Sequence, residues 1–208
     1  MKQKKIYFIT AIGTDSGKTL ISSMITEALE ADYWKPVQSG KDDMDRKTVQ
    51  SLISNTKSVF HDEAYLLESP ESPHSAAKKD GIKIEMNKIN TPTFNNDYLI
   101  VEGAGGLMVP LNDKDLVIDI ANKIECEIIL VSNVYLGSIN HTLLSVNELK
   151  RRGLNVKGII FNGEGSPEAK EYILKYSKYQ EILHIPVFEE VNKNAILEYS
   201  SIIKKILS

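Results

Sequence analysis

Apolar and amphipathic segments alternate along most of the chain. Short apolar runs typical of strands occupy residues 5–11, 32–37, 97–102, 127–132 and 156–162. Apolar residues recur at helical spacing over 18–30, 43–54, 115–124, 138–152, 167–177 and 193–207. Residues 128–131 are apolar throughout, as expected for a strand that is covered on both faces. This alternation predicts an α/β fold, with a mostly parallel central sheet and helices on both faces.

Residues 55–96 interrupt this alternation. The segment contains Pro70, Pro73 and Pro92, many polar residues and only weak periodicity. In sheets of this type such a segment is expected to pass over the carboxyl ends of the strands, where ligands bind. The 208 residues contain no internal repeat and no linker, and this length is sufficient for one hydrophobic core. We therefore predict a single domain over residues 1–208.

A glycine-lysine loop joins the first predicted strand to the first predicted helix. Residues 10–19 read TAIGTDSGKT and end in Gly17-Lys18-Thr19. Backbone N–H groups at such a helix start bind phosphate oxygens, the lysine reaches the β- and γ-phosphates, and the hydroxyl binds Mg²⁺. The loop predicts a nucleoside triphosphate site and a three-layer fold of the P-loop NTPase type. Its start is irregular, because Ala11 and Ile12 occupy the two positions where glycine is expected.

Two further predicted strands end in charged residues. Lys35 lies in Trp34-Lys35-Pro36, where a lysine can face the same γ-phosphate and stabilise the charge that develops on transfer. A solvated surface lysine is the alternative interpretation. Glu102 ends an apolar strand, just before a glycine-rich turn. A buried carboxylate needs a cation, so Glu102 is predicted to be a metal ligand unless it faces solvent.

Composition and charge exclude several classes of partner. The net charge of −3 gives no basic field for nucleic acid, and no apolar run approaches the roughly 18 residues that cross a bilayer. Residues 1–12 resemble a short secretory signal, but they continue into the phosphate loop and are therefore predicted to form a strand. The lone Cys126, flanked by two glutamates, is predicted to be a buried side chain rather than a nucleophile. It fits a reducing cytoplasm, which is the expected location.

Three segments together resemble one enzyme family, the dethiobiotin synthetases of the biotin pathway. They are the glycine-lysine loop, residues 33–40 with Trp34 inserted before Lys35, and residues 101–106, which read VEGAGG. Shorter matches are the Ser-Pro-His at residues 72–74, the segment 136–141, Asn162 after an apolar strand, and Ile185-Pro186. The resemblance extends over nearly the whole chain, and the combination is specific although each segment alone is not.

The resemblance implies a reaction. The family is a group of cyclo-ligases that condense CO₂, supplied from bicarbonate, with 7,8-diaminononanoate by means of Mg·ATP. The product is dethiobiotin, formed through a carbamate and a carbamic-phosphoric anhydride, with release of ADP and phosphate. The resemblance also implies a homodimer. Lys18 and Lys35 would be the catalytic residues, since two cations neutralise the encounter of a carbamate with a polyanion.

Further site residues follow by matching the family's motifs. The implied magnesium ligands are Thr19, Asp45 and Glu102, with Asp42 or Asp43 as alternatives to Asp45. The implied ATP-binding set is Asp15, Ser16, Gly17, Lys18, Thr19, Leu20, Asp45, Glu102, Gly103, Ala104, Gly105, Asn162, Gly163 and Pro186. The implied substrate-binding set is Ser39, Gly137, Ser138, Ile139 and Asn140, with residues 137–140 opening a helix on the partner subunit. Gly163 and the segment 187–192 depart from the family pattern, so the choice of nucleotide base stays open.

Three other functions fit parts of the pattern. A switch ATPase of the ParA/MinD type is the main alternative, but it carries an additional lysine near the start of the loop, and residues 11–17 contain none. An amide-forming synthase of the cobyrinic acid type requires a further glutaminase domain with a nucleophilic cysteine. A nucleoside kinase would need an arginine-rich lid, whereas the arginines here are Arg46, Arg151 and Arg152. None of the three fits as much of the chain as the dethiobiotin synthetase pattern does.

Overall fold

The computed structural model describes residues 4–208, so residues 1–3 of the predicted domain lie outside the described residues. The strands are β1 (Lys5–Ala11), β2 (Asp32–Trp34), β3 (Val37–Ser39), β4 (Phe60–His61), β5 (Tyr65–Leu67), β6 (Tyr98–Glu102), β7 (Glu127–Asn133), β8 (Val156–Asn162) and β9 (Glu181–Ile185). The helices are α1 (Lys18–Leu29), α2 (Asp45–Leu52), α3 (Pro73–Lys79), α4 (Val117–Ile124), α5 (Ser138–Arg151), α6 (Pro167–Ser177) and α7 (Lys193–Leu207). A 3₁₀ turn covers Met86–Lys88.

A seven-stranded parallel sheet forms the centre of the fold, in the order β4-β2-β6-β1-β7-β8-β9. Strand β1 lies in the middle, with Ile9 opposite both Glu102 of β6 and Ile129 of β7. One hydrophobic cluster packs the sheet against α4, α5 and α6, and a second packs it against α1, α2 and α7. The predicted three-layer α/β fold is confirmed. Because all the strands of this sheet are parallel, their carboxyl ends meet at one edge.

Most predicted elements agree with the structure to within two residues at each end. The predicted strand 32–37 is wrong in one respect, because the structure has two strands there, separated at Lys35-Pro36. Proline has no N–H to donate to a ladder. The chain therefore leaves the central sheet after Trp34, and Val37–Ser39 pairs with β5 in a separate two-stranded sheet. The sequence pattern also did not predict β9.

The segment 55–96 contains β4, β5, α3 and the 3₁₀ turn, all of them short. Side chains hold it to the rest of the fold: Arg46 of α2 donates to Glu63 at 2.9 Å, and the indole N–H of Trp34 donates to the carbonyl of Asp62 at 3.0 Å. Its residues 70–73 line a cleft together with the glycine-lysine loop. The predicted passage over the strand ends is confirmed for residues 70–73, whereas β4 joins the edge of the central sheet instead.

Cys126 lies between α4 and β7 and is half-buried, so it is less enclosed than predicted. Burial raises the pKa of its thiol to about 12, which keeps the sulfur protonated. The thiol donates to the carbonyl of Ala121 at 3.4 Å. Across residues 4–208, no helix is both long enough and apolar enough to cross a membrane.

Candidate active site

The glycine-lysine loop runs from the end of β1 to the start of α1. Gly17 precedes the helix with φ of 89°, a left-handed conformation that favours glycine. Ser16 is buried, and its hydroxyl donates to the side-chain oxygen of Asn133 at 2.8 Å. The side-chain amide of Asn162 donates to the carbonyl of Ser16 at 2.9 Å. These two hydrogen bonds connect the loop to the ends of β7 and β8. Within the described residues, no side chain accepts a hydrogen bond from the first N–H groups of α1.

Ala11 accounts for the irregular start of the loop. It is the last residue of β1, is fully buried, and is paired with Val131 of β7. Its φ is not positive, so the position does not require glycine. The methyl group packs into the hydrophobic cluster beneath α1. Position 11 therefore belongs to the sheet, and the loop begins after it.

Four polar side chains meet near the ends of β2 and β6 and the starts of α1 and α2. The ammonium of Lys35 lies 3.0 Å from Oε1 of Glu102 and 2.5 Å from Oδ2 of Asp45, and it donates to the carbonyl of Gly103 at 3.1 Å. The hydroxyl of Thr19 lies 2.9 Å from Oδ1 of Asp45 and 3.0 Å from Oε1 of Glu102. Lys35 and Glu102 are both buried, which contradicts the surface alternative for each of them.

Burial and charge act against each other on the ionisable groups of this cluster. Burial alone would lower the pKa of Lys35, but the carboxylates of Glu102 and Asp45 outweigh it and raise that pKa above its ordinary value. Burial alone would raise the pKa of Asp45, but Lys35 holds it below its ordinary value. For Lys18, burial, followed by repulsion from Lys35, lowers the pKa to about 8. Lys35 is therefore the more firmly charged of the two lysines.

The cluster suits a magnesium ion. The oxygens of Thr19, Asp45 and Glu102 are hard donors, and Oγ1 of Thr19 lies 2.9 and 3.0 Å from the two carboxylate oxygens. Octahedral Mg²⁺ with ligands at about 2.05 Å places neighbouring ligands about 2.9 Å apart. Within residues 4–208, no three His, Cys, Asp or Glu side chains converge on a metal position. Two carboxylates and a hydroxyl leave coordination positions for phosphate oxygens and water.

The cluster forms the floor of a cleft of about 750 Å³. The lining residues include Asp15, Ser16, Gly17, Lys18, Thr19, Lys35, Ser39, Asp42, Asp43, Asp45, Glu102, Ala104 and Gly105. Of the three aspartates in this set that precede or begin α2, Asp45 is the one that contacts Thr19 and Lys35. Asp42 and Asp43 are exposed on the rim. The hydroxyl of Ser39 is buried without a hydrogen-bond partner among the described residues.

Other predicted site residues lie outside this cleft. Asn162, Gly163 and Pro186 lie at the ends of β8 and β9, where the N–H of Gly163 donates to the carbonyl of Ile185 at 2.8 Å. Leu20 lies in the first turn of α1 and does not line the cleft. Gly137, Ser138, Ile139 and Asn140 open α5 and likewise do not line it. A single chain therefore does not bring residues 137–140 into the cleft that contains Ser39.

Two residues that hold the site together were not predicted from the sequence. The hydroxyl of Tyr33 donates to Oε2 of Glu102 at 3.0 Å, and burial, together with the charge of Glu102, raises the pKa of Tyr33 well above its ordinary value. The side-chain oxygen of Gln38 accepts from the N–H of Asp45 at 3.2 Å at the start of α2. Each has a polar group within a short buried strand, but this signal does not identify the partner of that group.

Known proteins are similar to this chain over most of its length. A family model described as an AAA domain matches residues 5–195. A curated ATP-dependent dethiobiotin synthetase from Cytophaga hutchinsonii is 50% identical over 196 residues, which cover 94% of this chain and 95% of the relative. The chain belongs to the dethiobiotin synthetase family. A second dethiobiotin synthetase, from Christiangramia forsetii, is 47% identical over 207 residues and 98% of each chain.

Solved structures resemble this dethiobiotin synthetase family member in fold alone. A ParA family ATPase from Chlorobium tepidum superposes with a TM-score of 0.59 at 14% identity, over 99% of this chain and 93% of its own. The septum site-determining protein MinD from Pyrococcus horikoshii, solved with Mg-ADP, gives a TM-score of 0.59 at 15% identity, over 95% of each chain. These similarities confirm the predicted P-loop NTPase-type architecture.

Proposed function

We propose that this chain is an ATP-dependent dethiobiotin synthetase that carboxylates 7,8-diaminononanoate and closes the ring with CO₂. The observation that carries the proposal is the convergence of Lys18, Lys35, Thr19, Asp45 and Glu102 in one cleft. This set combines two cations with two carboxylates and a hydroxyl, which suits the transfer of a phosphoryl group between anions. The extensive identity to curated dethiobiotin synthetases supports the same assignment. A cytoplasmic location stays a prediction from the lone cysteine.

The proposed reaction has three steps. An amine of the diamine adds to CO₂ and loses a proton, which gives a carbamate. A carbamate oxygen attacks the γ-phosphorus of ATP and displaces ADP, which gives a carbamic-phosphoric anhydride. The second amine attacks the carbonyl carbon, displaces phosphate and loses a proton, which closes the cyclic urea. No side-chain nucleophile is required, so the protein acts by positioning the reactants and by stabilising charge.

Lys18 and Lys35 would bring the two anions together. Lys35 is buried and held charged by Glu102 and Asp45, so its charge persists over the physiological pH range. Lys18 begins α1 beside uncapped backbone N–H groups, where the phosphate chain of ATP would lie. Repulsion between the carbamate and the γ-phosphate opposes the second step, and two fixed cations reduce it.

Thr19, Asp45 and Glu102 would hold Mg²⁺, which neutralises charge on the phosphate oxygens when it is bound. Residues 15–20 and the turn 103–105 would surround the phosphates. Asn162, Gly163 and Pro186, at the ends of β8 and β9, would contact the nucleotide base. The hydrogen bond from Asn162 to the carbonyl of Ser16 supports this assignment, because it places Asn162 beside the phosphate loop.

A homodimer would complete the substrate site. A surface cavity of about 400 Å³ extends from the loop, at residues 12–14, to His141, Leu144 and Glu148 of α5. Its lining includes two exposed apolar side chains, Leu144 at 59% and Met108 at 54% exposure, and Leu136, just before α5, is fully exposed. A second copy packed on this face would bring its own residues 137–140 towards the cleft, where the N–H groups of its α5 would bind the substrate carboxylate.

The deciding experiment supplies ATP, bicarbonate and 7,8-diaminononanoate and measures both ADP and the mass of the product. The expected result is formation of dethiobiotin and ADP in equal amounts, with ADP formation dependent on the diamine. ATP turnover that is indifferent to the diamine would contradict the proposal and favour a switch ATPase of the ParA/MinD type. The absence of a lysine from residues 11–17 argues against that alternative.

A further inference from the structure

Tyr33 and Glu102 lie on neighbouring strands and on the same face of the sheet. Tyr33 of β2 is paired with Ile100 of β6, and Glu102 is two residues further along β6. Since side chains two residues apart in a strand point to the same face, the tyrosine ring and the carboxylate lie side by side. The ring is fully buried and packs against Phe60, with the ring centres 5.9 Å apart. Its hydroxyl donates to Oε2 of Glu102 at 3.0 Å.

The two oxygens of Glu102 have different partners. Oε1 accepts from the hydroxyl of Thr19 and from the ammonium of Lys35, both at 3.0 Å. Oε2 points to the other side, where Tyr33 is its only donor within residues 4–208. The terminal torsion of a glutamate is broad, so packing alone does not fix the orientation of the carboxylate. The hydrogen bond from Tyr33 to one oxygen holds the plane of the carboxylate, so that the other oxygen faces Thr19 and Lys35.

We propose that Tyr33 is a positioning residue that orients Glu102 and thereby sets the affinity of the site for its divalent cation. The proposal rests on the proposed function, in which Thr19, Asp45 and Glu102 hold Mg²⁺. Partners of metal-binding carboxylates fix the orientation of the ligand, and their removal typically costs about 10- to 100-fold in metal affinity. Glu102 is only 1% exposed, so water has little access to replace the tyrosine hydroxyl.

The test is Tyr33→Phe, which keeps the ring and removes one oxygen atom. Binding of Mn²⁺, in place of Mg²⁺, to the protein–ADP complex is followed by the electron paramagnetic resonance signal of free Mn²⁺. We expect the Mn²⁺ affinity to fall about 10-fold. The affinity for ADP without metal should be unchanged. The ADP titration also gives the number of binding sites per chain, so a loss of Mn²⁺ affinity can be distinguished from partial unfolding.

Tyr7→Phe is the matched control. Tyr7 is also fully buried, lies on β1 in the same hydrophobic cluster, and donates its hydroxyl to the carbonyl of Leu207 at 3.1 Å. Its removal should leave Mn²⁺ affinity unchanged. The proposal fails if Tyr33→Phe stays within about twofold of the wild type, or if Tyr7→Phe loses as much.

Glu102→Gln separates this proposal from the metal site on which it rests. In that background Tyr33→Phe should cause no further loss of Mn²⁺ affinity, because the carboxylate that Tyr33 orients is gone. If Glu102→Gln alone leaves Mn²⁺ binding unchanged, the proposed metal site itself is wrong. If Glu102→Gln weakens Mn²⁺ binding and Tyr33→Phe does not, only the role of Tyr33 is wrong.

Discussion

The side chain of Asn162 lies directly against Gly17, and a Cβ at residue 17 would be 2.2 Å from Nδ2 of Asn162. Gly17 also has φ of 89°, which a side chain would strain. We therefore expect Gly17→Ala to displace Asn162 from the carbonyl of Ser16 and to distort the loop. The affinity for ADP should fall by about 10-fold or more, since the phosphates are expected to contact the backbone here. Isothermal titration calorimetry measures this affinity for ADP.

Gly153→Ala provides the control for Gly17→Ala. Gly153 also has a positive φ, of 64°, but a Cβ there would meet nothing within 4 Å. The substitution should cost about 1 kcal/mol of unfolding free energy and leave ADP affinity unchanged. Equal losses of ADP affinity in the two variants would show that a general effect on the fold, and not the contact with Asn162, is responsible.

Lys35→Ala should lower kcat for dethiobiotin formation by about 100-fold or more, because it removes a fixed cation from the point where charge develops. The fold should survive, as judged by circular dichroism, but with an unfolding free energy lower by about 3 kcal/mol, because the buried Glu102 loses its cation. Lys57→Ala removes an exposed lysine that pairs with Glu30 outside the cleft, and it should leave kcat unchanged. A near-normal kcat in Lys35→Ala would refute the role proposed for Lys35.

Lys18 should make the stability of the nucleotide-free protein depend on pH in the alkaline range. Its pKa is about 8 in the folded chain and 10.5 when unperturbed. Between these values the unfolded chain binds more protons, so the contribution of Lys18 to the unfolding free energy becomes more favourable as pH rises. The full span corresponds to about 3 kcal/mol. Below pH 8 the charge is present in both states, and its burial destabilises the fold.

Urea unfolding of the wild type and of Lys18→Met, in the absence of nucleotide, measures this dependence. Lys18→Met should be the more stable protein at neutral pH, because methionine has no charge to bury. The advantage should shrink as pH approaches 10.5. A difference that does not change with pH would show that the pKa of Lys18 is not lowered in the folded chain.

Ser39→Ala should raise the KM for the diamine about 10-fold, because the substrate would lose its proposed hydrogen bond with the hydroxyl of Ser39. The unfolding free energy should change little, since the hydroxyl of Ser39 has no partner among the described residues. Ser22→Ala is the control. Ser22 of α1 also has a buried hydroxyl without a hydrogen-bond partner among residues 4–208, but it does not line the cleft. An unchanged KM in Ser39→Ala would remove Ser39 from the substrate site.

Leu144→Glu should disrupt the proposed homodimer, because it places a charge on the exposed apolar face of α5. Sedimentation velocity should show a monomer, and dethiobiotin formation should fall about 10-fold or more if residues 137–140 act on the partner subunit. Leu197→Glu alters a leucine of α7 with 43% exposure and should change neither property. A wild type that is monomeric and fully active would contradict the dimer.

The sequence predicted the central elements because their patterns are long. The runs that became β1, β7 and β8 each span seven residues, and the helices that cover them have clear apolar stripes. Strands β4 and β5 have two and three residues, which is too short for any period to be visible. Strand β9 lies at the edge of the sheet and has five residues, and Glu181 and His184 leave it without the continuous apolar run of its neighbours.

The site residues also differ in how clearly the local sequence indicates them. Lys18, Lys35 and Glu102 were found because a charged residue at the end of an apolar strand or in a glycine-rich turn has few structural explanations. Tyr33 and Gln38 were not found, since tyrosine is common in buried strands and a strand of three residues such as β3 shows no period. Their roles come from contacts with residues on another strand and on a helix, which no local pattern reveals.

The central position of β1 has a consequence for synthesis of the chain. Its two neighbours in the sheet, β6 and β7, are both made much later. The chain must therefore have emerged from the ribosome as far as Asn133 before β1 can be hydrogen-bonded on both sides. Pairing of such distant segments is slow. The glycine-lysine loop is therefore made well before the strands that support it. Nucleotide binding can stabilise the nascent chain only after that point, and shorter chains would expose unpaired apolar strands to aggregation.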